Sequence, residues 1–283
     1  MTITPDRKLT NQFPRTDAAP IHSSKYWAKE KDRLLRQLLI GDIEQTTGRE
    51  LITYFAQLDE GINHTDPDDL SEIIEGVSTG HVDLFIQTPG GNVDAVEKFI
   101  SVLSQRVESY RVIVPSWAKS GGTVIAISAK SILLGVNSEL GPIDPQILLP
   151  DLGPMPCEFI CRDETKDAVL REYAQASINR TKGLTKKIMQ RGMLSELSEK
   201  EIDETIDKLS SSNCYNSHGA VIDFGEAEAL GLSVEWMPPE EELWRRVWLL
   251  YCLYDQDTKN KGLGRVIEGA VFSIARPASE HAA

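Results

Sequence analysis

The sequence predicts an α/β protein: a parallel sheet with helices on both faces, followed by a helical C-terminal part. Short apolar, β-branched or aromatic runs alternate with segments of helical spacing. These runs are apolar along their whole length rather than at every second residue, the pattern of strands buried on both faces. A chain of 283 residues, 41% hydrophobic and 26% charged, has the composition of an ordinary globular protein and can bury one large core or two small ones.

Residues 1 to 28 are polar, Pro-containing and aperiodic, and read as a loosely held arm. "ELITYF" (50–55) and "VDLFIQ" (82–87) read as strands, and "TDPDDLSEIIEGV" between them supplies cap residues and then helical spacing. The unit repeats. "NVDAVEKFISVLSQR" places Val93, Val96, Phe99, Ile100 and Leu103 on one helical stripe, and "YRVIVP" (110–115) follows as a strand ended by proline. "SGGTVIAISA" then reads as a buried helix and "SILLG" (131–135) as the next strand. From about residue 158 long helical periodicity takes over. In "EEELWRRVWLLYCLY" (240–254) Leu243, Val247, Leu250 and Tyr254 share a stripe, with Trp244 and Trp248 beside it, as expected of core or a subunit contact. The expected organisation is an arm over 1–28, a main domain over 29–237, and a C-terminal helix and tail over 238–283 that could make an oligomer contact.

With 30 basic against 43 acidic residues the formal charge is −13, which gives no footprint for nucleic acid or an anionic membrane. The one basic run, Arg180, Lys182, Lys186, Lys187 and Arg191, reads as a solvated helix face. Of the four cysteines, Cys157 and Cys161 form a CxxxC without a second pair, so no zinc site is expected. The N-terminus lacks the apolar stretch of a signal peptide, and no segment has the roughly 18 apolar residues of a membrane span. A reduced, cytoplasmic setting is expected.

Two glycine-rich strand-to-helix turns carry the chemical signal. "FIQTPGGNVDAVEKFI" (85–100) lacks the Lys-Ser/Thr ending of a P-loop and the third glycine of a dinucleotide fingerprint. In "SWAKSGGTVIAISA" (116–129) Ser120 opens an apolar helix. It is either an N-cap or a nucleophile, since Gly121 and Gly122 clear side-chain bulk from behind its hydroxyl.

"TPGG" (88–91), "AKSGGT" (118–123), "GPIDPQ" (141–146) and "SHGAVIDFGEAEALGL" (217–232) together resemble the Clp-fold serine peptidases. Within them the chain is most similar to the serine dehydrogenase proteinase (SDH) family, and more distantly to signal peptide peptidase A and the Clp proteolytic subunits. The likeness runs from about residue 33 to 236. It implies a Clp/crotonase-like fold of repeated β-β-α units, with Ser120 as nucleophile and the amides of Gly90, Gly91 and Gly121 as oxyanion donors. Such donors are typically worth about 3 kcal/mol each in a transition state.

In the ring-forming Clp peptidases the histidine follows the serine at a position that falls here on or near Asp144. Their aspartate precedes the "EA…GL" helix, where this chain has His218. The resemblance thus implies a triad of Ser120, His218 and Asp144 with acid and base exchanged along the chain, which is sound because triads are defined by geometry and role. The rival is a Ser-Lys dyad of the signal-peptide-peptidase type, with Lys166 as base if burial lowers its pKa. Lys119 could meet a substrate carboxylate or face water. His22, His64, His81 and His281 lie outside every block.

The expected activity is cleavage of unfolded or extended polypeptides by an acyl-enzyme, without metal or organic cofactor, in a homo-oligomer. Two alternatives use the same fold: a catalytically inactive scaffold, and a crotonase-like acyl-CoA enzyme that applies the turn amides to a thioester.

Overall fold

The computed structural model of the chain describes residues 23–211, 214–215 and 217–279. The first half comprises α1 (Ser24–Thr47), β1 (Glu50–Ala56), α2 (Asp66–Ile74), β2 (His81–Gln87), α3 (Val93–Arg106), β3 (Ser109–Val114), β4 (Trp117–Ala118), α4 (Gly121–Ile127), β5 (Ile132–Gly135) and β6 (Glu139–Leu140). The second half comprises β7 (Gln146–Leu149), β8 (Gly153–Pro156), α5 (Cys157–Arg162), α6 (Ala168–Arg191), α7 (Glu199–Ser210), α8 (Phe224–Ala229), β9 (Val234–Met237), α9 (Glu242–Lys261), β10 (Leu263–Glu268) and β11 (Ser273–Pro277).

The central sheet has seven strands in the order β11-β10-β1-β2-β3-β5-β9. β1, β2, β3, β5 and β9 run parallel, while β10 and β11 add antiparallel at one edge. Alternate residues of each parallel strand feed two separate cores. Ile52, Tyr54, Leu84, Ile86, Val112, Val114, Ile132 and Leu134 pack on one face, against α2, α3, α4, α6 and α7. Leu51, Phe55, Phe85, Ile113 and Leu133 point the other way, onto α1 and α9. Burial on both faces explains the unbroken apolar runs.

Two segments are bounded differently from the expectation. Helix α1 begins at Ser24, inside the stretch read as an arm to residue 28: the Ser23 side chain accepts from the Tyr26 amide and starts the helix, and Gly48, at φ 67°, ends it. The described residues of the C-terminal segment join the main body, since α9 covers the sheet and β10 pairs with β1 within it. The stripe of α9 faces the sheet, with Val247, Leu250 and Tyr254 fully buried, the core position that its spacing allowed.

Buried charge hid β10 from a hydropathy reading. Arg36 of α1 makes a two-pronged contact with Glu268, at 2.8 and 3.1 Å, and also pairs with Asp257. The Tyr254 hydroxyl donates to Glu268 at 2.6 Å. This network ties the first helix, the last helix and β10 together inside the second core.

The basic run of α6 is committed to its neighbours rather than to solvent alone. Arg180 pairs with Asp94 and Glu97 of α3, Lys182 with Asp207 and Lys186 with Asp203 of α7.

Candidate active site

The cleft lies where β2 and β3 end. After β2 the chain runs through Thr88 and Pro89 into Gly90 and Gly91, whose φ angles of 97° and 151° favour glycine. A Cβ on Gly90 would stand 2.7 Å from Ser120 Cβ, and one on Gly91 only 2.3 Å from the Ile62 amide nitrogen. The two glycines therefore bring one backbone against the serine and against a second backbone strand. Asn92 then caps α3, its side chain accepting from the amides of Asp94 and Ala95.

Ser120 is the one non-glycine residue with positive φ among the described residues, at φ 49° and ψ −116°. Strain of this kind costs of order 1–3 kcal/mol and gathers at functional sites. Although Ser120 precedes α4, its side chain makes no capping hydrogen bond. The hydroxyl is left facing the cleft, and the N-cap reading loses its physical basis.

The amides near that hydroxyl are not equivalent. The Gly90 N–H donates to Thr88 Oγ1 at 3.2 Å. Among the described residues the amides of Gly91 and Gly121 donate to no protein group. Two of the three expected donors are thus free to receive a ligand oxygen.

Asp144 is buried between Pro142 and Pro145, and both of its carboxylate oxygens are engaged. His218 Nδ1 lies 2.8 Å from Oδ1, and Gln146 Nε2 donates to Oδ2 at 2.7 Å. A carboxylate oxygen in its ionised form only accepts, so the tautomer that suits this contact carries its proton on Nδ1 and leaves Nε2, the nitrogen turned from Asp144, without one. The His218 side chain is 32% exposed, so that nitrogen remains reachable.

Ser120, Gly91, Gly121 and His218 line one cleft of about 630 Å³. Its walls are α3 (Val93, Val96), the 143–147 segment and one face of α6, including Tyr173 and Arg180. Lys166 is elsewhere, in the turn between α5 and α6, with its amide donating to Asp163 O at 3.1 Å.

Lys119 is part-buried and tied to the protein: its Nζ donates to the carbonyls of Leu140 and Ala220 and pairs with Glu139 at 2.8 Å. His81 is exposed, with Nδ1 3.0 Å from Ser109 Oγ, and His22 and His281 lie outside the described residues. Among the described residues no cluster of three or more His, Cys, Asp or Glu is placed to hold a metal ion. Nor is any helix long and apolar enough to cross a membrane.

Sequence reasoning missed the roles of Gln146 and Ile62, and it named Lys119 without its actual partners. Each acts on another residue's backbone or carboxylate and carries no motif of its own.

An uncharacterized protein of Methanocaldococcus jannaschii is 32% identical over 190 residues, covering 64% of this chain and 61% of the relative. A second uncharacterized protein of that organism is 42% identical over 66 residues, 23% of each chain. The chain therefore spans about three-fifths of the first relative and about a quarter of the second. Among solved structures, ClpP1 from Listeria monocytogenes aligns over 71% of this chain and 98% of its own, with 15% identity and a TM-score of 0.43. The sequence model of the ClpP-like SDH-type serine proteinases matches residues 65–273, a span that takes in the glycine turn, Ser120, Asp144 and His218. The chain belongs to this family of ClpP-like, SDH-type serine proteinases.

Proposed function

We propose that the protein is a serine endopeptidase that cleaves extended polypeptide segments through an acyl-enzyme on Ser120. The observation that carries this reading is the 2.8 Å contact of His218 Nδ1 with buried Asp144, at the edge of the cleft that holds Ser120 and two unpartnered amides.

Ser120 Oγ attacks the scissile carbonyl carbon while His218 Nε2 takes the hydroxyl proton. The carbonyl oxygen gains the electron pair and is held by the N–H groups of Gly91 and Gly121. Collapse of the adduct breaks the C–N bond, and His218 returns its proton to the departing amine. Water then gives a proton to His218 and attacks the ester, releasing the acid and restoring Ser120. Asp144 holds the imidazole in the required tautomer and stabilises its cation. The position of Lys166 outside the cleft supports this triad over the dyad.

The preference for extended chain rests on β7. Its sheet partner is β8, and among the described residues no strand pairs with its second edge. Cys157 N–H bonds Pro145 O, and in the same register Ile147 opposes Met155 and Leu149 opposes Gly153. The alternation of an antiparallel pair turns the backbone groups of Gln146 and Leu148 outward. An extended peptide can pair with that edge while Gln146 and Ile147 line the cleft. Self-association belongs to the proposal as well: exposed Leu148, Leu152, Val169 and Tyr173 around this hairpin and α6 supply apolar surface for it. A cytoplasmic setting is in keeping with four free cysteines.

Labelling with a serine-directed fluorophosphonate tests the reading. Wild-type protein is expected to form an adduct that Ser120→Ala abolishes and His218→Ala suppresses. Absence of a Ser120-dependent adduct in folded wild type sinks the peptidase and leaves the inactive scaffold and the thioester enzyme. Loss in Lys166→Ala with survival in His218→Ala moves the base to the lysine.

A further inference from the structure

The Gly91 amide is aimed from outside the cleft. In a trans peptide the carbonyl and the N–H of one unit point in opposite directions. The unit joining Gly90 to Gly91 therefore cannot turn its N–H without turning its C=O. That carbonyl accepts from the Ile62 amide at 2.6 Å, and the Asn92 amide returns a bond to Ile62 O at 2.9 Å. With the carbonyl held on Ile62, the Gly91 N–H faces the opposite side, where Ser120 and Gly121 pack against Gly90.

The segment that does the holding is itself held. Arg265, a buried residue of β10, donates from Nη1 to Gly61 O at 2.8 Å. Its charge is met by Glu60 Oε2 at 3.3 Å and Asp66 Oδ1 at 3.3 Å. Asp66 is fixed in turn through Oδ2, which accepts from the Tyr54 hydroxyl at 3.0 Å and from the Asn63 amide at 2.8 Å. Glu60 also accepts from the Ser279 hydroxyl at 3.1 Å. None of these groups lines the cleft, and none has a step in the reaction.

We propose that Arg265 is a positioning residue for the oxyanion hole: it fixes Gly61 and Ile62, and through the Gly90 carbonyl it keeps the Gly91 N–H trained on the oxygen of the tetrahedral adduct. This rests on the serine-peptidase reading. The Gly91 donor acts where charge develops, so losing its aim lowers kcat and leaves KM in place. A merely structural ion cluster would lower the melting temperature and leave kcat per active site unchanged.

Full-length variants decide between the two, with a quenched fluorescent peptide as substrate and active sites counted by end-point fluorophosphonate labelling. In Arg265→Met combined with Glu60→Gln, one charge of each sign is removed; kcat is expected to fall about 10²-fold at unchanged KM, the size typical of a lost oxyanion donor. Arg265→Lys should recover part of that loss. Gly61→Val leaves the ion cluster intact; its Cβ makes ordinary contact with the Gly90 carbonyl oxygen at 3.4 Å and Gly91 Cα at 3.5 Å, and the two methyl groups beyond it are what would press on the Gly90–Gly91 peptide. It should lose kcat with a wild-type melting temperature, and it decides the matter if the Arg265 variants fail to fold. Folded variants with kcat within about twofold of wild type overturn the proposal, since a lost donor costs far more. Wild-type protein without Ser120-dependent turnover sinks the peptidase reading and this proposal with it.

Discussion

Lys119 Nζ lies 3.0 Å from the carbonyl oxygen of Ala220, two residues beyond His218, and so links the residue before Ser120 to the loop of His218. The same ammonium reaches Leu140 O at 3.2 Å and Glu139 at 2.8 Å. Gly141 leaves room for it, since a Cβ there would meet Lys119 Cδ at 2.5 Å. The cation thus joins β4, β6 and the 218–220 turn at one point. Lys119→Met should lower kcat/KM by about 10²-fold, the scale of an ångström-sized misplacement of a catalytic group. Steady-state kinetics beside a melting curve check this, and a variant of full activity would remove Lys119 from the positioning of His218.

Backbone strain at Ser120 gives a stability test that needs no substrate. At φ 49° a β-carbon is disfavoured, whereas glycine adopts such angles freely. Ser120→Gly should exceed Ser120→Ala in stability by about 1 kcal/mol, or about 2–4 °C in melting temperature for a chain of this size. Both variants should be inactive. Equal melting temperatures would mean that the turn is not strained.

What was legible in the sequence depended on whether a residue's role showed in its own spacing. Strands β1, β2, β3 and β5 were readable because burial on both faces leaves an unbroken apolar run, and the two turns because close backbone approach demands glycine. Strand β10 was not, because Arg265 and Glu268 are charged residues buried by pairing with Asp66 and Arg36. Helix α1 was obscured likewise: Arg36 and Gln37 sit in its buried stripe. Asp144 and His218 are 74 residues apart, and no periodicity reports their contact; only the family resemblance drew them together. Ile62 was beyond reach, since its contribution is a backbone amide that any residue except proline supplies.

Cys157 connects the site's surroundings to pH. Burial, with smaller contributions from Cys161 and Asp144, pushes its thiol from 9.0 up to about 11. Between those values the unfolded chain has lost the proton that the folded chain retains, so stability falls as pH rises through this window and levels off above it. Burial holds the hydroxyls of Tyr54 and Tyr254 well above their ordinary range, which acts in the same direction at higher pH. Cys157→Ala should reduce the fall in urea midpoint between pH 8 and pH 10.5 relative to wild type, while both tyrosines continue to contribute. Identical falls in the two proteins would show that the Cys157 thiol titrates normally.

Two alanine substitutions separate the roles of the free amides. A Cβ on Gly91 would lie 2.3 Å from the Ile62 nitrogen and 2.4 Å from its carbonyl oxygen, backbone atoms that cannot yield locally. A Cβ on Gly121 would meet Val96 Cγ2 at 2.7 Å, a methyl group that a change of rotamer can move. Gly91→Ala must therefore displace the 61–62 segment or the Gly90–Gly91 peptide, and kcat should fall by about 10²–10³-fold. In Gly121→Ala the helix start keeps its amide, and the loss should be several-fold smaller, with a stability cost of about 1–3 kcal/mol from overpacking against Val96. Active-site-titrated kcat and urea unfolding of the two proteins measure both quantities. The reverse order, with Gly121→Ala the slower enzyme, would make Gly121 the donor whose placement is least tolerant and would assign Gly91 a packing role.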